Sequence, residues 1–454
     1  MLCIPIPGPN ITAIKKQVAK AAAADLLELR VDLWDEPYEV VVDKPFIVTV
    51  RNKAHSGAFV DSEEERVALI CQFLKFGAAF CDIEWDIDPK LLAKVEGALG
   101  EAKLIASHHG TGAVNADLLE VMRQACSNAA LYKIVQGPVG TVASFNMLSL
   151  SHGNDDVIGI TLGADGKPAR LASAFLEAPI SYASLEDSLA TAAGQPRVDE
   201  LFSRKGDKLF GLIGDPVDKS ISDIFHNECF EDKGALYLKM RIEKSEAADF
   251  IQASRDLPFC GFSVTMPLKE AICGSLDEVV DTAAIVGAVN TVTVKDGRYI
   301  GSNTDGLGAV RAIESRYPIS WGEAKVFVVG AGGTAKAIAC EVRARGAKVT
   351  IFNRTLERGQ AAAALVGCQA LPLEELSLDY DVIINATSVG MKEDVSPVPQ
   401  SCLKEGAIVL DVVNSSTTKL LREAKEAGCR IVSGRDMFVE QAKLQQEAWS
   451  EVAR

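Results

Sequence analysis

Short apolar runs recur along the first half of the chain, at 2–6, 26–30, 46–51, 80–84, 104–107, 131–135, 157–161 and 178–182. Between them lie polar or alanine-rich stretches of helical character. Strands alternating with helices predict parallel βαβ units. Eight of them predict a (β/α)8 barrel, a TIM barrel at the small end of its size range.

The second half has the same α/β alternation, with its clearest unit between Lys325 and Thr355. The run 326–329 is β-branched and aromatic, as a buried parallel strand is. It leads into Gly330-Ala331-Gly332-Gly333 and an alanine-rich helix through Ala344, which Gly346 can end. A second strand follows at 348–352. Glycines at such a turn let the backbone approach a pyrophosphate, and the helix start supplies amides and partial positive charge. The second strand ends in Asn353-Arg354-Thr355, with no acid for a ribose hydroxyl. An arginine there suits a 2′-phosphate, so the cofactor expected is NADP (used as NADPH) in preference to NAD.

In the first half, polar residues stand at the far ends of the apolar runs: Glu28, Arg30, Arg51, Asp82, Glu84, His109 and Arg170. A barrel brings these positions together on its C-terminal face, where active sites lie. Lys133, inside Leu131-Tyr132-Lys133-Ile134-Val135, is the odd residue of an otherwise buried strand. Desolvation and a neighbouring cation such as Arg51 or Arg170 would lower its pKa and free the amine to attack a carbonyl as a Schiff-base nucleophile.

Length and composition set the frame. At 454 residues, two or three domains are expected. A net charge of −15 argues against nucleic acid or an anionic membrane as a partner. Eleven scattered cysteines without a C-x-x-C pair fit reduced thiols, neither a disulfide framework nor a zinc site, so no metal is expected. No stretch reaches about eighteen apolar residues, and the start lacks a basic region followed by a long apolar run, so the expected location is the cytoplasm. Oligomeric state leaves no signal. The charged segment 197–208 lacks an apolar period and is expected to link a first domain, 1–196, to the rest.

Two family resemblances follow. Glu28-Leu29-Arg30-Val31-Asp32, Thr49-Val50-Arg51, Asp82-Ile83-Glu84, Ser107-His108-His109, Tyr132-Lys133-Ile134 and Gly194-Gln195 resemble, in order, the motifs of type I 3-dehydroquinate dehydratase. The resemblance implies a barrel in which Lys133 forms the Schiff base and His109 shuttles protons. His108 is the alternative if the register is one residue earlier. It also implies that Glu28, Arg30, Arg51, Arg170 and Gln195 hold substrate, with Glu84 orienting the histidine or lysine. The chain departs from the family at His55, Ala169, Thr191 and Ala193.

From Ser220-Ile221-Ser222 through Thr265-Met266-Pro267-Leu268-Lys269, Val289-Asn290-Thr291, Asn303-Thr304-Asp305, Asn385-Ala386-Thr387 and Gly434-Arg435-Asp436-Met437 to Gln441, the chain resembles shikimate dehydrogenase. That implies Lys269 and Asp305 as catalytic pair, and Ser220, Ser222, Thr265, Asn290 and Gln441 as substrate-binding residues. Gly330, Ala331, Gly332, Gly333, Asn353, Arg354, Thr355 and Thr387 would bind the dinucleotide. A substrate-binding domain at 209–307, completed by 433–454, would flank a Rossmann NADP-binding domain at 308–432. Departures are Asp223 and Asn414. Together the resemblances imply two reactions in series, from 3-dehydroquinate through 3-dehydroshikimate to shikimate. One alternative is a retired, ligand-sensing homologue; the presence of Lys133, His109, Lys269 and Asp305 speaks against it. Another is a second half that acts on quinate or uses NAD.

Overall fold

The eight apolar runs become eight strands of one parallel sheet: β1 (Leu2–Ile6), β2 (Leu26–Arg30), β3 (Phe46–Thr49), β4 (Phe80–Glu84), β5 (Lys103–Gly110), β6 (Leu131–Gln136), β7 (Val157–Thr161) and β8 (Ser181–Tyr182). Each of β1–β7 pairs with its sequence neighbour, and β8 pairs with β1, making a near-closed barrel. This computed structural model describes residues 1–39, 42–111, 114, 116–201, 205–415 and 417–452. The chain divides into two compact units: Met1–Leu209 with Glu231–Arg241 and Gln252–Pro258, and Phe210–Phe230 with Ile242–Ile251 and Phe259–Arg454. Of the segment expected as a linker, residues 202–204 lie outside the described residues.

Period-two alternation explains how the barrel is filled. Leu27, Leu29, Val48, Cys81, Ile83, Ala106 and Ile134 belong to the apolar layer shared with the surrounding helices. Their sequence neighbours face inward. At one end of the barrel these are Cys3, Leu26, Ile47 and Ile105, a dry plug, while on β6 and β7 the inward Val135, Ile158 and Ile160 stay apolar alongside and beyond Lys133. Further along β2–β6 the inward positions turn polar: Glu28, Thr49, Asp82, Ser107 and Lys133, all buried. The parallel register sets Thr49 beside Asp82, Glu84 beside Ser107, and Ser107 beside Lys133.

In the second unit, β11 (Phe259–Val264), β13 (Thr291–Lys295), β14 (Arg298–Ser302) and β12 (Glu278–Val279) neighbour one another in that order, after β9 (Lys208–Gly214); β10 (Ala235–Arg241) counts with the first unit. A second sheet is wholly parallel: β15 (Lys325–Val329), β16 (Lys348–Asn353), β17 (Gln369–Pro372), β18 (Val382–Asn385), β19 (Ile408–Asp411) and β20 (Arg430–Val432). Its order, β17-β16-β15-β18-β19-β20, is that of a doubly wound dinucleotide fold, with the direction of winding reversing between β15 and β18. The last helix, Gly434–Trp449, starts with a Ser433/Asp436 capping box and returns to the mixed sheet. There Gln445 bonds Asn290 O and Thr291, and Trp449 Nε1 donates to Val292 O.

None of the eleven cysteines is in a disulfide. Among the described residues, no helix is long and apolar enough to cross a membrane, and no cluster of His, Cys, Asp or Glu is arranged to hold a metal.

Candidate active sites

Lys133 lies deep in the polar end of the barrel. Its ammonium donates to Asp82 Oδ2 at 3.0 Å and Glu28 Oε1 at 3.3 Å, and stands 4.3 Å from the centre of the Tyr182 ring. The groups touching it are two carboxylates and a π face, where the sequence led us to expect a cation. Arg51 is one step removed: its guanidinium donates to Asp82 Oδ1, Glu84 Oε1 and Ser107 Oγ, each at 2.7–2.8 Å. Arg66, from the helix Glu63–Leu74, pairs with the other Glu84 oxygen at 2.7 Å and with Glu63 at 2.6 Å. Charges of alternating sign thus run unbroken through Glu63, Arg66, Glu84, Arg51, Asp82, Lys133 and Glu28. Burial alone would raise the Asp82 pKa, but Arg51 and Lys133 hold it well below the usual carboxylate range.

Glu84 therefore does not orient His109 or Lys133, as expected; each oxygen faces an arginine. His109 sits within β5, not after it, on the same inward face as Ser107. Burial, then the charges of Arg51 and Lys133, push its pKa well below the ordinary imidazole value, so the ring is neutral. His109 Nδ1 is buried without a protein partner. His108 points the other way, its Nδ1 accepting from Trp85 Nε1, so the register with His109 inside is the observed one.

Arg170 is buried and pushed down to about 10 by desolvation; only Nη2 finds a carbonyl, that of Tyr182, at 3.4 Å. Its Nη1 and the Tyr182 hydroxyl are buried without partners, the condition of groups that await a polar ligand. Gln195 is buried, its oxygen accepting from Thr191 N and Oγ1. Arg30 is held by Asp32 through two bonds of 2.8–3.0 Å.

In the second unit a cleft of about 960 Å³ gathers Ser220, Ser222, Thr265, Lys269, Asn290, Asp305 and Gln441 with the glycine turn. Lys269 is the second residue of the short helix Leu268–Ala271, and its ammonium meets Asp305 Oδ2 at 2.5 Å. Asn290 Nδ2 donates to Asp305 Oδ1 at 2.7 Å and to Gln441 Oε1 at 3.2 Å. Ser220 and Ser222 hydroxyls touch at 2.8 Å, with Ser222 opening the helix Ser222–Cys229.

The residues expected to hold a dinucleotide fit one. Gly330 has φ +115°, and a Cβ there would come within 3.0 Å of Ala386 O and the Thr387 methyl. A Cβ on Gly332 would meet nothing within 4 Å, so the start of the helix Gly333–Ala344 opens to the cleft. Thr387 is pinned by Asn385 Oδ1, which accepts from its N and Oγ1, while Asn385 Nδ2 donates to buried Asp411. Gly330, Ala331, Gly332, Gly333, Asn353, Arg354 and Thr387 line the cleft. Thr355 does not; it stands at the start of the helix Leu356–Val366 without a side-chain capping bond, and its carbonyl accepts from Asn353.

Sequence reasoning missed Arg66, Tyr182, Thr334 and Arg358 as site residues. Arg66 hides in the acidic run Glu63-Glu64-Glu65, where it looks like a solvated helix charge. Arg358, in the first turn of the helix Leu356–Val366 that follows Arg354, lines the same cleft; a second arginine just past the strand end was the available signal.

Comparison with known proteins gives a consistent picture. Family models match in three places: type I 3-dehydroquinase over residues 2–203, the shikimate dehydrogenase substrate binding domain over 212–292, and shikimate/quinate 5-dehydrogenase over 312–415. The chain is 33% identical to the chloroplastic bifunctional 3-dehydroquinate dehydratase/shikimate dehydrogenase of Arabidopsis thaliana, over 99% of this chain and 82% of the relative. It is 32% identical to the shikimate biosynthesis protein AroDE of Chlamydia pneumoniae, over 99% and 95%. The crystal structure of Thermus thermophilus shikimate 5-dehydrogenase with NADP(H) and shikimate matches 54% of this chain and 93% of that one, at 33% identity and TM-score 0.50.

Proposed function

Because the chain belongs to the family of bifunctional 3-dehydroquinate dehydratase/shikimate dehydrogenases, we propose that its barrel dehydrates 3-dehydroquinate through Lys133 and its second unit reduces the product to shikimate with NADPH. The observation that carries the reading is Lys133, buried at the polar end of a barrel that also holds a neutral histidine whose Nδ1 has no protein partner.

In the first reaction the Lys133 amine adds to the substrate ketone and water leaves, forming an imine. The imine acidifies the neighbouring C–H, and neutral His109 takes that proton. His109 then returns a proton to the departing hydroxyl, so a second water leaves, and hydrolysis frees lysine and product. Glu28, Arg30, Arg51, Arg170 and Gln195 bind the hydroxyls and carboxylate. Support for Arg170 as the carboxylate clamp is its desolvated guanidinium, whose Nη1 is buried without a partner.

In the second reaction Lys269 gives a proton to the carbonyl oxygen that becomes the alcohol, and Asp305 holds the lysine. NADPH supplies the hydride. Ser220, Ser222, Thr265, Asn290 and Gln441 orient the substrate. The glycine turn, Asn353, Thr387 and the exposed cations Arg354 and Arg358 hold the dinucleotide and its 2′-phosphate. We assign the domains as 1–196, 209–307 with 433–454, and 308–432, and the enzyme to the cytoplasm, in keeping with eleven cysteines outside any disulfide.

A coupled assay tests this. With 3-dehydroquinate and NADPH as the only reactants, the purified chain should oxidise NADPH and accumulate shikimate. No loss of absorbance at 340 nm, with added 3-dehydroshikimate also unreduced, would sink the reading.

A further inference from the structure

Thr334 is the second residue of the helix whose start opens to the dinucleotide cleft, yet its hydroxyl is engaged with Lys269 and Asp305. Lys269 Nζ lies 3.0 Å from Thr334 Oγ1, and Thr334 Oγ1 lies 3.0 Å from Asp305 Oδ2. An ammonium only donates and a carboxylate only accepts. The directions are therefore fixed: Lys269 donates to Thr334, and Thr334 donates to Asp305. With the Lys269–Asp305 bond of 2.5 Å the three side chains close a triangle.

Two of the three ammonium N–H groups are consumed in that triangle, which leaves one direction for the third. Asp305 is equally constrained, since Asn290 occupies its other oxygen. Without the Thr334 hydroxyl, Lys269 has a single fixed partner and two N–H groups free to swing about it. Two more contacts tie the same helix to the lysine's own. Lys336 donates to Glu270, the residue after Lys269, at 2.8 Å. A Cβ on Gly333 would sit 2.9 Å from the Ala288 methyl and 3.8 Å from Lys269 Cβ, so the helix start is pressed on this segment.

From this we infer that Thr334 is a positioning residue for the reduction: it acts through Lys269 and Asp305, and it links the seating of the dinucleotide at the helix start to the direction of the one remaining lysine N–H. The inference rests on the catalytic reading of Lys269 and Asp305. A hydroxyl serving only the local fold or the cofactor would leave the proton-transfer step alone.

The test compares T334V, T334S, T334A and K269M in the full chain, assaying 3-dehydroshikimate reduction and NADPH binding. T334V should lower kcat by roughly 10- to 100-fold while NADPH KM moves by less than about threefold, and T334S should stay within about threefold of the parent. A kcat for T334V within about twofold of the parent overturns the inference, as does a T334S variant no better than T334V, or an NADPH KM that rises by as much as kcat/KM falls. If T334V no longer binds NADPH, T334A against T334S decides on the same criteria. K269M that still reduces substrate sinks the underlying reading; K269M inactive with T334V unimpaired sinks the coupling alone.

Discussion

Asp82 Oδ2 lies 3.0 Å from the ammonium of Lys133, while its other oxygen lies 2.7 Å from Arg51. One carboxylate thus balances the nucleophile and the arginine next to it. Asp82→Asn keeps the shape and removes the charge. We expect dehydration to slow by roughly 100-fold and the barrel to lose about 3 kcal/mol, the scale of a broken buried pair. Reduction by the second unit should be unchanged. Steady-state rates for each reaction, with denaturant unfolding of the variant, check all three.

Lys133→Ala should abolish dehydration and spare reduction, and Lys269→Ala should do the reverse. Borohydride added with dehydroquinate should leave a mass increment on the peptide carrying Lys133. A full dehydratase rate in Lys133→Ala, or an increment on another lysine, would remove the Schiff-base assignment.

Arg66 makes no contact with Lys133, yet it holds one oxygen of Glu84 while Arg51 holds the other. Arg66→Met should destabilise the barrel by about 3 kcal/mol. Dehydratase kcat should fall too, because Arg51 then shares an unbalanced carboxylate. Arg66→Lys keeps the charge without the fork and should recover stability in part.

Arg354→Ser should raise KM for NADPH by roughly 10- to 100-fold and leave rates with NADH nearly unchanged, since only the 2′-phosphate distinguishes the two. Equal effects on both cofactors would place the arginine elsewhere.

His226 is fully buried beside Trp449 and its pKa is pushed down to about 3, chiefly by desolvation. Unfolded histidine titrates near ~6.5, so below that pH the unfolded chain binds a proton that the folded one refuses. Stability should therefore fall as pH drops from about 6.5 toward 3, by up to about 1.4 kcal/mol per pH unit. His226→Asn should flatten this slope for the second unit, whatever it costs in packing at pH 7. Unfolding midpoints between pH 7 and 5 measure it; an unchanged slope would show that other groups set the acid response.

The strands were legible where apolar runs end cleanly. Runs 2–6, 26–30, 80–84 and 157–161 coincide with β1, β2, β4 and β7. β5 runs on to Gly110, three residues past its apolar run, because Ser107 and His109, which face inward, look like loop residues unless the interior is known to be polar. β8 shrinks to Ser181–Tyr182. Lys133 and Lys269 stood out as charges in the wrong place; the family resemblance named Asp305 as the partner of Lys269, but nothing named the carboxylates that meet Lys133. Glu28 lies 105 residues before Lys133, and no local pattern tells that a carboxylate, not a cation, would face it. Thr334 was invisible for the same reason: a threonine in the first turn of a helix is unremarkable until the fold brings Lys269 to it.

The alternating line of charge from Glu63 to Glu28 has a consequence for how this barrel can change over generations. Each interior member has a neighbour of opposite sign on either side. Changing one strands two others, whereas changing adjacent members together can restore the balance. Single replacements along the line should be harmful in nearly every case, and paired ones far less so than their sum. The inner face of the barrel is then inherited as a block, and redesign of its substrate range has to begin with compensated pairs.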